Sequence, residues 1–438
     1  MVNPSFIIPR PAHTSSNNHF KFSDNNPKYG LPENVEFCSS CVISNQRPNS
    51  TVEIKHTADS KKTTIVIDKN KICDACKAAT TKNNIDWDER KLQLKELCDQ
   101  YRSSDGSYDC MIPGSGGKDS FYQAHILKYE YGMNPLTITW APHLYTDWGW
   151  RNFQRWIHSG FNNVLITPNG KTHRLITRLA VDNLFHPFQP FIIGQKCLAP
   201  KLALMHDIKL VFYGENEAEY GNPMVDNMSA QRDFKYFTAQ KEDDIYLGGT
   251  SLHSLKTDFG VSKADLDMYL PINPLDVQEA GIQIHYLGYY IKWHPQEAYY
   301  YANKHGNFEA SPERTVGTYS KYNSIDDKID DFHYLTTYIK FGIGRATYDA
   351  SQEIRSGDIE REEGVALVKK FDGEFPERFA KEILQYLSIP KDQFGQVSQC
   401  FEQPIMDREY FEDLTNTFRS PHLWTFSDNE WKIKHTVK

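Results

Sequence analysis

Short apolar runs alternate with helix-forming segments between residues 108 and 213. The runs are rich in β-branched and aromatic residues and are bounded by turn formers, which is typical of buried strands. Strands are predicted at 108–113, 135–140, 163–167 and 209–213, and helices at 121–131, 147–159, about 172–185 and about 197–207. Strands and helices that alternate in this way form a parallel sheet with helices on both faces, and ligands bind beyond the carboxyl ends of the strands.

The flanking segments differ in composition. In residues 1–36, 15 of 36 positions are Pro, Asn or Ser, which predicts a flexible leader. Residues 37–80 form a small cysteine-bearing unit with strand candidates at 51–55 and 63–68, and a helix capped by Asp86 or Asp88 follows. The sheet domain is predicted to span 85–275, with a polar insertion or lid at 221–275. Residues 276–438 are predicted to be mostly helical, with helices at 295–304, 326–341 and 358–370.

Composition narrows the class of protein. Lys and Arg number 49 against 57 Asp and Glu, and the resulting net charge of −8 disfavours a globally basic nucleic-acid binder. No apolar run approaches the ~18 residues of a membrane span, and the N-terminus lacks the pattern of a signal peptide. Eight cysteines in 438 residues do not make a disulfide scaffold. We therefore expect a cytoplasmic protein that does not contact a membrane.

Two Cys-x-x-Cys pairs, Cys38 with Cys41 and Cys73 with Cys76, are separated by 31 residues. Four thiolates can surround Zn²⁺ tetrahedrally and stabilise a unit too short to build a large core. Redox pairs, disulfides and unrelated thiols are the alternatives, but neither pair resembles the helix-start pair of a thioredoxin-like unit. We predict a zinc-ribbon-like unit whose Zn²⁺ is structural, because four sulfurs close the coordination shell.

The remaining cysteines, Cys98, Cys110, Cys197 and Cys400, are predicted to be buried and to act as small hydrophobic residues. An activated thiol is the alternative for Cys197, which follows Lys196.

A glycine-rich turn, PGSGGKDS at 113–120, follows the first predicted strand and begins a helix. Backbone N–H groups at a helix N-terminus attract phosphate, and glycines let the backbone approach it closely. The turn is neither a Walker A loop nor a dinucleotide fingerprint, because Asp119 stands where each requires glycine. It is not a nucleophile elbow either, because Pro113 stands two positions before Ser115.

Residues 115–120, SGGKDS, instead match every fixed position of the SGGxDS pyrophosphate loop of the PP-loop ATPases. The resemblance implies an α/β, Rossmann-like fold of the adenine nucleotide alpha hydrolase type, ATP as substrate and Mg²⁺ on its phosphates. Such enzymes adenylylate a substrate oxygen, release pyrophosphate and let a nucleophile displace AMP. The implied ATP-binding residues are Ser115, Gly116, Gly117, Lys118, Asp119 and Ser120, of which Lys118 and Asp119 are the catalytic candidates.

The role of Asp119 stays open at this point, because an acid at a helix start is also stabilised by the helix dipole. A second segment, GENEAE at 214–219, ends the fourth predicted strand and is similar to the G-x-N-x-x-E motif of NAD synthetase-like members. The resemblance implies that Glu215, Asn216 and Glu219 face ATP, the acceptor or a metal. A solvated helix start is the alternative, and function is favoured because both motifs share one sheet edge.

Three stretches together resemble the N-acetyl sugar amidotransferases of surface-polysaccharide (lipopolysaccharide), pseudaminic-acid and legionaminic-acid biosynthesis. They are FCSSCVISNQRPNS from residue 37, YGENEAEYG from residue 213 and the block 317–376. The resemblance implies that ammonia converts the acetamido group of a nucleotide-linked or free N-acetyl sugar into an acetamidino group. Because no glutaminase signature surrounds Cys197 or Cys400, a separate glutaminase subunit is expected to supply the ammonia.

Lys340 and Arg345 flank a glycine-containing segment of this block, after His333. They are candidates for contacts with a nucleotide sugar, and equally for cations at a glycine-capped helix end. Four acids, Asp326, Asp327, Asp330 and Asp331, are predicted to cap a helix and to face solvent.

Two other functions compete with the amidotransferase. A PP-loop enzyme that thiolates tRNA would use the zinc unit to bind RNA, but the charge of −8 makes a nucleic-acid partner unlikely. A zinc scaffold within a polysaccharide-synthesis complex would keep the fold without turning over ATP.

Overall fold

The computed structural model describes residues 26–50, 52–56, 61–214, 229–233, 237–239, 242–390 and 401–438. The strands are β1 (Cys110–Pro113), β2 (Pro135–Trp140), β3 (Asn162–Ile166), β4 (Leu210–Tyr213), β5 (Tyr246–Leu247), β6 (Thr250–Ser251), β7 (Gln283–Tyr286), β8 (Trp424–Ser427) and β9 (Glu430–Ile433). Five of them form a parallel sheet of order β3-β2-β1-β4-β7. The pairs β5-β6 and β8-β9 are antiparallel.

Fifteen α-helices lie in the described part of the chain. They are α1 (Asp74–Lys82), α2 (Trp87–Tyr101), α3 (Lys118–His125), α4 (Asp147–His158), α5 (Gly170–Leu184), α6 (Gln189–Met205), α7 (Leu252–Thr257), α8 (Lys263–Leu266), α9 (Pro274–Glu279), α10 (Pro295–Gly306), α11 (Asp330–Phe341), α12 (Arg345–Ser356), α13 (Arg361–Phe371), α14 (Glu377–Leu387) and α15 (Arg408–Phe418). The predicted α/β class with a parallel sheet and a helical C-terminal region is confirmed. None of the described helices is long and apolar enough to cross a membrane.

Alternate side chains of the central strands enter two different cores, as the period of two in a strand requires. Met111 and Val211 face one core, which packs against α5, α6, α14 and α15. Ile112 and Phe212 face the other core, which packs against α3, α4 and α10. Both faces of the sheet are therefore covered by helices, and its carboxyl edge is the place left for a ligand.

The sheet extends beyond the predicted domain boundary at 275, because β7 pairs with β4 in register Tyr213 to Tyr286. The predicted insertion or lid at 221–275 is wrong for its described C-terminal half. Leu247, Leu255 and Tyr269 are fully buried in the core beneath the sheet. They lie in β5, in α7 and in a 3-10 turn at Asp267–Tyr269, and such short elements do not produce the periodicity by which a longer helix or strand shows its apolar face.

The two strands predicted in the 37–80 unit do not form within its described residues. Thr64 instead makes an isolated bridge with Pro48, and Ile67 makes another with Cys73. Around the first bridge, the Asn49 N–H donates to the Thr63 carbonyl at 2.8 Å and the Ile65 N–H donates to the Arg47 carbonyl at 2.9 Å.

The described part of the predicted flexible leader packs on the C-terminal region. Leu31 is buried against Phe341 and Trp424, and the Lys28 backbone N–H donates to Ser420 Oγ at 2.8 Å. Residues 26–36 are thus part of the folded body.

Candidate functional site

The glycine turn lies at the carboxyl end of β1, where the sequence predicted a phosphate loop. The Gly114 N–H donates to the Ile138 carbonyl at 2.9 Å, and the Ser115 N–H donates to Ser120 Oγ at 3.0 Å. Helix α3 then begins at Lys118. Its N-cap residue, Gly117, has an extended backbone and provides no side-chain hydrogen bond to the helix N-terminus. The first N–H groups of α3 therefore point out of the loop and are suited to an anion.

Gly116 is required by the shape of this turn. Its φ is +85°, and a Cβ at this position would lie 2.5 Å from the Cα of Phe153 on α4. Both the left-handed backbone and the close approach exclude a side chain. The loop is thus fixed against α4, and not only by its own hydrogen bonds.

A cavity of about 220 Å³ opens in front of the loop. Ser115, Lys118 and Asp119 form one side, while Asp326 and Arg345 belong to the opposite side. The segment before α11 is held in place by α4. The Thr146 N–H donates to the Asp326 carbonyl at 3.1 Å, and Gly149 leaves room for the Asp326 backbone.

The cavity combines cations with carboxylates. Lys118 Nζ lies 2.7 Å from Asp119 Oδ2. Burial raises the pKa of Asp326, although a hydrogen bond from Ser115 opposes the shift. Burial and the nearby Asp326 raise the pKa of Asp330 well above its ordinary value. A buried carboxyl group resists ionisation, but a divalent cation beside it stabilises the ionised form.

Mg²⁺ commonly takes one or two carboxylates together with substrate phosphates. Asp119, Asp326 and Asp330 line the cavity and could serve that role. They do not form a ready-made metal cluster. Over the described ranges, only the four cysteines of the 37–80 unit bring three or more ligand atoms of His, Cys, Asp or Glu within 4.8 Å of one another.

The four cysteines of the 37–80 unit fit a zinc ion. Cys38, Cys41, Cys73 and Cys76 are all buried. Cys38 Sγ lies 3.9 Å from Cys76 Sγ, and Cys41 Sγ lies 3.8 Å from Cys73 Sγ. A tetrahedral ion with Zn–S bonds of about 2.3 Å places its sulfurs about 3.8 Å apart. These residues would hold Zn²⁺ with no open position, so its role would be structural.

The cysteine unit is bound firmly to the C-terminal helices. Arg361 donates to the backbone carbonyls of Cys38 and Cys41 at 3.3 and 3.2 Å. Lys340 of α11 forms a buried ion pair with Glu53 at 2.7 Å. The unit is thus part of the same body as the loop cavity.

The structure brings together most of the predicted site residues. The cavity in front of the loop is lined by Ser115, Gly116, Gly117, Lys118, Asp119 and Arg345. Ser120 lies behind the loop, where its hydroxyl accepts from the Ser115 N–H. Glu215, Asn216, Glu219 and Cys400 lie outside the described residues.

Lys340 does not extend from an open segment, but lies in the wall of a cavity between α11 and the cysteine unit. Its side chain is 2% exposed, and its ammonium group donates to Glu53 and to the Leu184 carbonyl. Gly342 ends α11 with a φ of +68°, so the glycine-cap interpretation of this segment is confirmed. The partner of Lys340 is far away in the sequence, which is why the local pattern could not show it.

The prediction that the aspartate cluster faces solvent is also wrong. Asp327 is buried and accepts from His143 Nδ1 at 2.8 Å, from the His143 N–H at 2.7 Å and from the Leu144 N–H at 3.3 Å. Asp331 is buried as well, and burial raises its pKa to about 7. Sequence analysis missed Asp326 and Asp330 as site residues. Four aspartates within six positions, at 326, 327, 330 and 331, were the available signal in the sequence. That signal did not show which part of the protein each aspartate faces.

The thiols outside the zinc unit behave as predicted where they are described. Cys98, Cys110 and Cys197 are buried. Burial raises the pKa of Cys197 to about 12, which argues against an activated thiol despite Lys196 and Lys201 nearby.

Comparison of the sequence with known protein families identifies one matching family. Residues 316–438 match the family described as LPS biosynthesis protein WbpG-like, C-terminal domain. None of the curated proteins matches the chain. The matched WbpG-like region contains Asp326, Asp330 and Arg345, which face the glycine loop across the cavity. The match agrees with the resemblance of block 317–376 to polysaccharide-biosynthesis proteins.

Proposed function

We propose that this protein is an ATP-dependent amidotransferase that converts the acetamido group of an N-acetyl sugar into an acetamidino group during surface-glycan biosynthesis. One observation carries the proposal. The loop of residues 115–120, which resembles a pyrophosphate loop, shares a cavity with Asp326, Asp330 and Arg345 of the WbpG-like region. A loop that resembles a nucleotide-binding element and a region that matches a glycan-biosynthesis family line one cavity, and this supports the proposal.

In this proposal the loop binds the pyrophosphate portion of ATP. The first N–H groups of α3 and the Ser115 hydroxyl donate to phosphate oxygens, and Lys118 adds charge. Asp119 holds Lys118 in the cavity at 2.7 Å and, with Asp326 or Asp330, provides oxygen ligands for Mg²⁺. In the overall reaction ammonia and ATP react with the acetamido group to give the acetamidino group, AMP and pyrophosphate, and the displaced acetamido oxygen leaves as a phosphate oxygen of AMP.

Arg345 is well placed to stabilise negative charge at this site. It lines the cavity of the loop and also the next cavity along the C-terminal helices. Its Nε lies 3.0 Å from Asp349 Oδ1, and its Nη1 donates to the Tyr334 hydroxyl. These contacts fix the guanidinium group before any ligand arrives, so little entropy is lost when it binds phosphate.

Ammonia is proposed to come from a separate glutaminase subunit. A glutaminase nucleophile must be an accessible thiolate, whereas among the described cysteines outside the zinc unit Cys98, Cys110 and Cys197 are buried. Ammonium at high concentration should replace the partner in a test.

The test incubates the protein with ATP, Mg²⁺, ammonium chloride and a panel of free and nucleotide-linked acetamido sugars, and follows the products by mass spectrometry. We expect a sugar in which one oxygen has become NH, with AMP and pyrophosphate in equal amounts. AMP and pyrophosphate without a modified sugar would instead favour another PP-loop reaction, including tRNA thiolation. Absence of ATP cleavage with every sugar would contradict the proposal.

Variants connect the reaction to the loop. Lys118→Met and Ser115→Ala should each lower product formation by at least a hundredfold, about 3 kcal/mol of transition-state stabilisation. Lys95→Met removes an exposed lysine from α2 and is the matched control, for which we expect full activity. Full activity of Lys118→Met would contradict the role of the loop.

A further inference from the structure

Two additional cavities lie along the zinc unit, and the first of them reaches the loop. The first, of about 350 Å³, shares Lys118 and Asp119 with the loop cavity. The second, of about 340 Å³, shares Arg47, His333 and Tyr348 with the first. Each lies within the range of small-molecule sites, ~300–1,000 Å³. The protein thus has space for a ligand that extends from the loop toward the zinc unit.

The lining of these two cavities is positively charged, whereas the chain as a whole is negatively charged. Seven Lys and Arg side chains line them against three Asp and Glu side chains. The whole chain has a net charge of −8. A concave surface that concentrates positive charge within an acidic protein attracts an anionic ligand. Tyr334 and Tyr348 add aromatic surface to the same lining.

The zinc unit builds the wall that faces the loop. Arg47 lines both cavities, is 6% exposed, and has its guanidinium carbon 5.5 Å from the centre of the Tyr348 ring. Its backbone is held within the cysteine unit. The Arg47 N–H donates to the carbonyl of Ser44, three residues after the Cys38-Cys41 pair, at 3.2 Å, and the Ile65 N–H donates to the Arg47 carbonyl at 2.9 Å.

Lys62 enters the second cavity from the same unit. Its ammonium group lies 3.2 Å from Glu53, which also receives Lys340. Glu53 therefore holds two cations side by side at the cavity wall. Paired cations at a buried wall suit a ligand group with several anionic oxygens.

We propose that these two cavities bind the acceptor sugar through an anionic group, a phosphate or a carboxylate, which is contacted by Arg47 and Lys62 of the zinc unit. The zinc unit is then part of the acceptor site, and its metal acts by fixing the wall. The identification of the bound sugar as the acceptor rests on the proposed function, but the binding of an anionic sugar can be measured without turnover.

The experiment measures binding by calorimetry, with the nonhydrolysable ATP analogue AMP-CPP and Mg²⁺ present at saturation to occupy the loop. The probes are UDP-N-acetylglucosamine, UDP, N-acetylneuraminic acid and N-acetylglucosamine. We expect at least one anionic probe to bind at least tenfold more tightly than neutral N-acetylglucosamine, with an affinity that falls as salt increases. Preference for the UDP probes would identify phosphate as the recognised group, and preference for N-acetylneuraminic acid would identify carboxylate.

Arg47→Met should weaken the anionic probe at least tenfold, and Arg47→Lys should recover part of the affinity. Lys69→Met, at an exposed position of the same unit, should leave it unchanged. Zinc content and unfolding temperature verify that each variant is folded. Wild-type affinity in Arg47→Met, or no binding of any anionic probe, would overturn the inference.

The binding of AMP-CPP itself separates this inference from the proposed function. If the analogue binds and the anionic sugars do not, the acceptor site is wrong while the nucleotide loop stands. If the sugars bind through Arg47 and the analogue does not, the anionic site stands and the ATP-dependent reaction falls.

Discussion

The ammonium group of Lys340 lies 2.9 and 2.7 Å from the two carboxylate oxygens of Glu53. Both side chains are almost fully buried, at 2% and 5% exposure. The pair connects helix α11 to the zinc unit, which are far apart in the sequence. Burial lowers the pKa of Lys340 to about 8, and the Glu53 carboxylate opposes that shift. The Glu53 carboxylate offsets the cost of burying the Lys340 charge.

Removing one member of this ion pair should lower the free energy of unfolding far more than replacing both members with apolar side chains. Lys340→Met should lower the free energy of unfolding by about 3 kcal/mol, because the buried Glu53 carboxylate keeps Lys62 and His56 as partners but loses its 2.7 Å contact with Lys340. The double variant Glu53→Leu with Lys340→Met should recover most of the loss. Lys432→Met, from an exposed pair with Asp428, should cost less than about 1 kcal/mol. Chemical denaturation measures all four proteins, and equal costs for the two lysines would contradict the assignment.

The zinc site can be tested by metal content. We expect one zinc per chain in the purified protein, measured by plasma mass spectrometry. Cys73→Ser should bring this to nearly zero and lower the unfolding temperature, because three ligands hold the metal weakly and the unit has few other core residues. Cys197→Ser alters a buried thiol outside the cluster and should retain the metal. Zinc retained at one equivalent by Cys73→Ser would exclude this site.

Two glycines with nearly the same φ make a matched pair. Gly116 and Gly106 have φ values of +85° and +82°, but only Gly116 lies against another backbone, that of Phe153. Gly106→Ala should cost about 1–2 kcal/mol of stability, from the left-handed conformation alone. Gly116→Ala should also displace the loop and weaken AMP-CPP binding at least tenfold. Equal nucleotide affinity in the two variants would show that the loop does not contact the nucleotide.

A buried histidine next to the sheet edge predicts a dependence on pH. Burial lowers the pKa of His285 to about 4. The unfolded chain therefore takes up a proton near pH 6.5 that the folded chain refuses, and the native state loses stability as the pH falls from 6.5 toward 4. His285→Gln lacks this loss, so the stability advantage of the wild type should shrink by about 2 kcal/mol between pH 7.5 and pH 5.

The control for this titration is His253→Gln, at an exposed position of α7. Its stability difference from the wild type should be the same at both pH values. Denaturation with urea at each pH provides the free energies. A difference for His285→Gln that does not change with pH would show that the imidazole is ionised in the folded state.

Much of the organisation follows from local sequence. The four predicted strands from 108 to 213 form within one or two residues of their predicted bounds, and a helix lies at each predicted place between them, because apolar periodicity indicates which face is buried. The bounds differ most for α6, which begins at Gln189 and not near residue 197. Asp86, one of two predicted caps, accepts from the N–H groups of Asp88 and Glu89. The glycine turn and the Cys-x-x-Cys spacing were also recognisable, since their chemistry depends on residues only a few positions apart.

Tertiary structure decided which distant groups meet. Periodicity shows that a face is buried but not what covers it, so Lys340 looked like an accessible cation until Glu53, 287 positions away, was placed beside it. For the same reason Asp326 and Asp330 looked like solvated acids, although they face the glycine loop. The sequence by itself determined the loop, the cysteine cluster and the alternation of the sheet domain. Only the packing of the zinc unit and the C-terminal helices around them, through contacts between residues hundreds of positions apart, decided the shape and charge of the cavities.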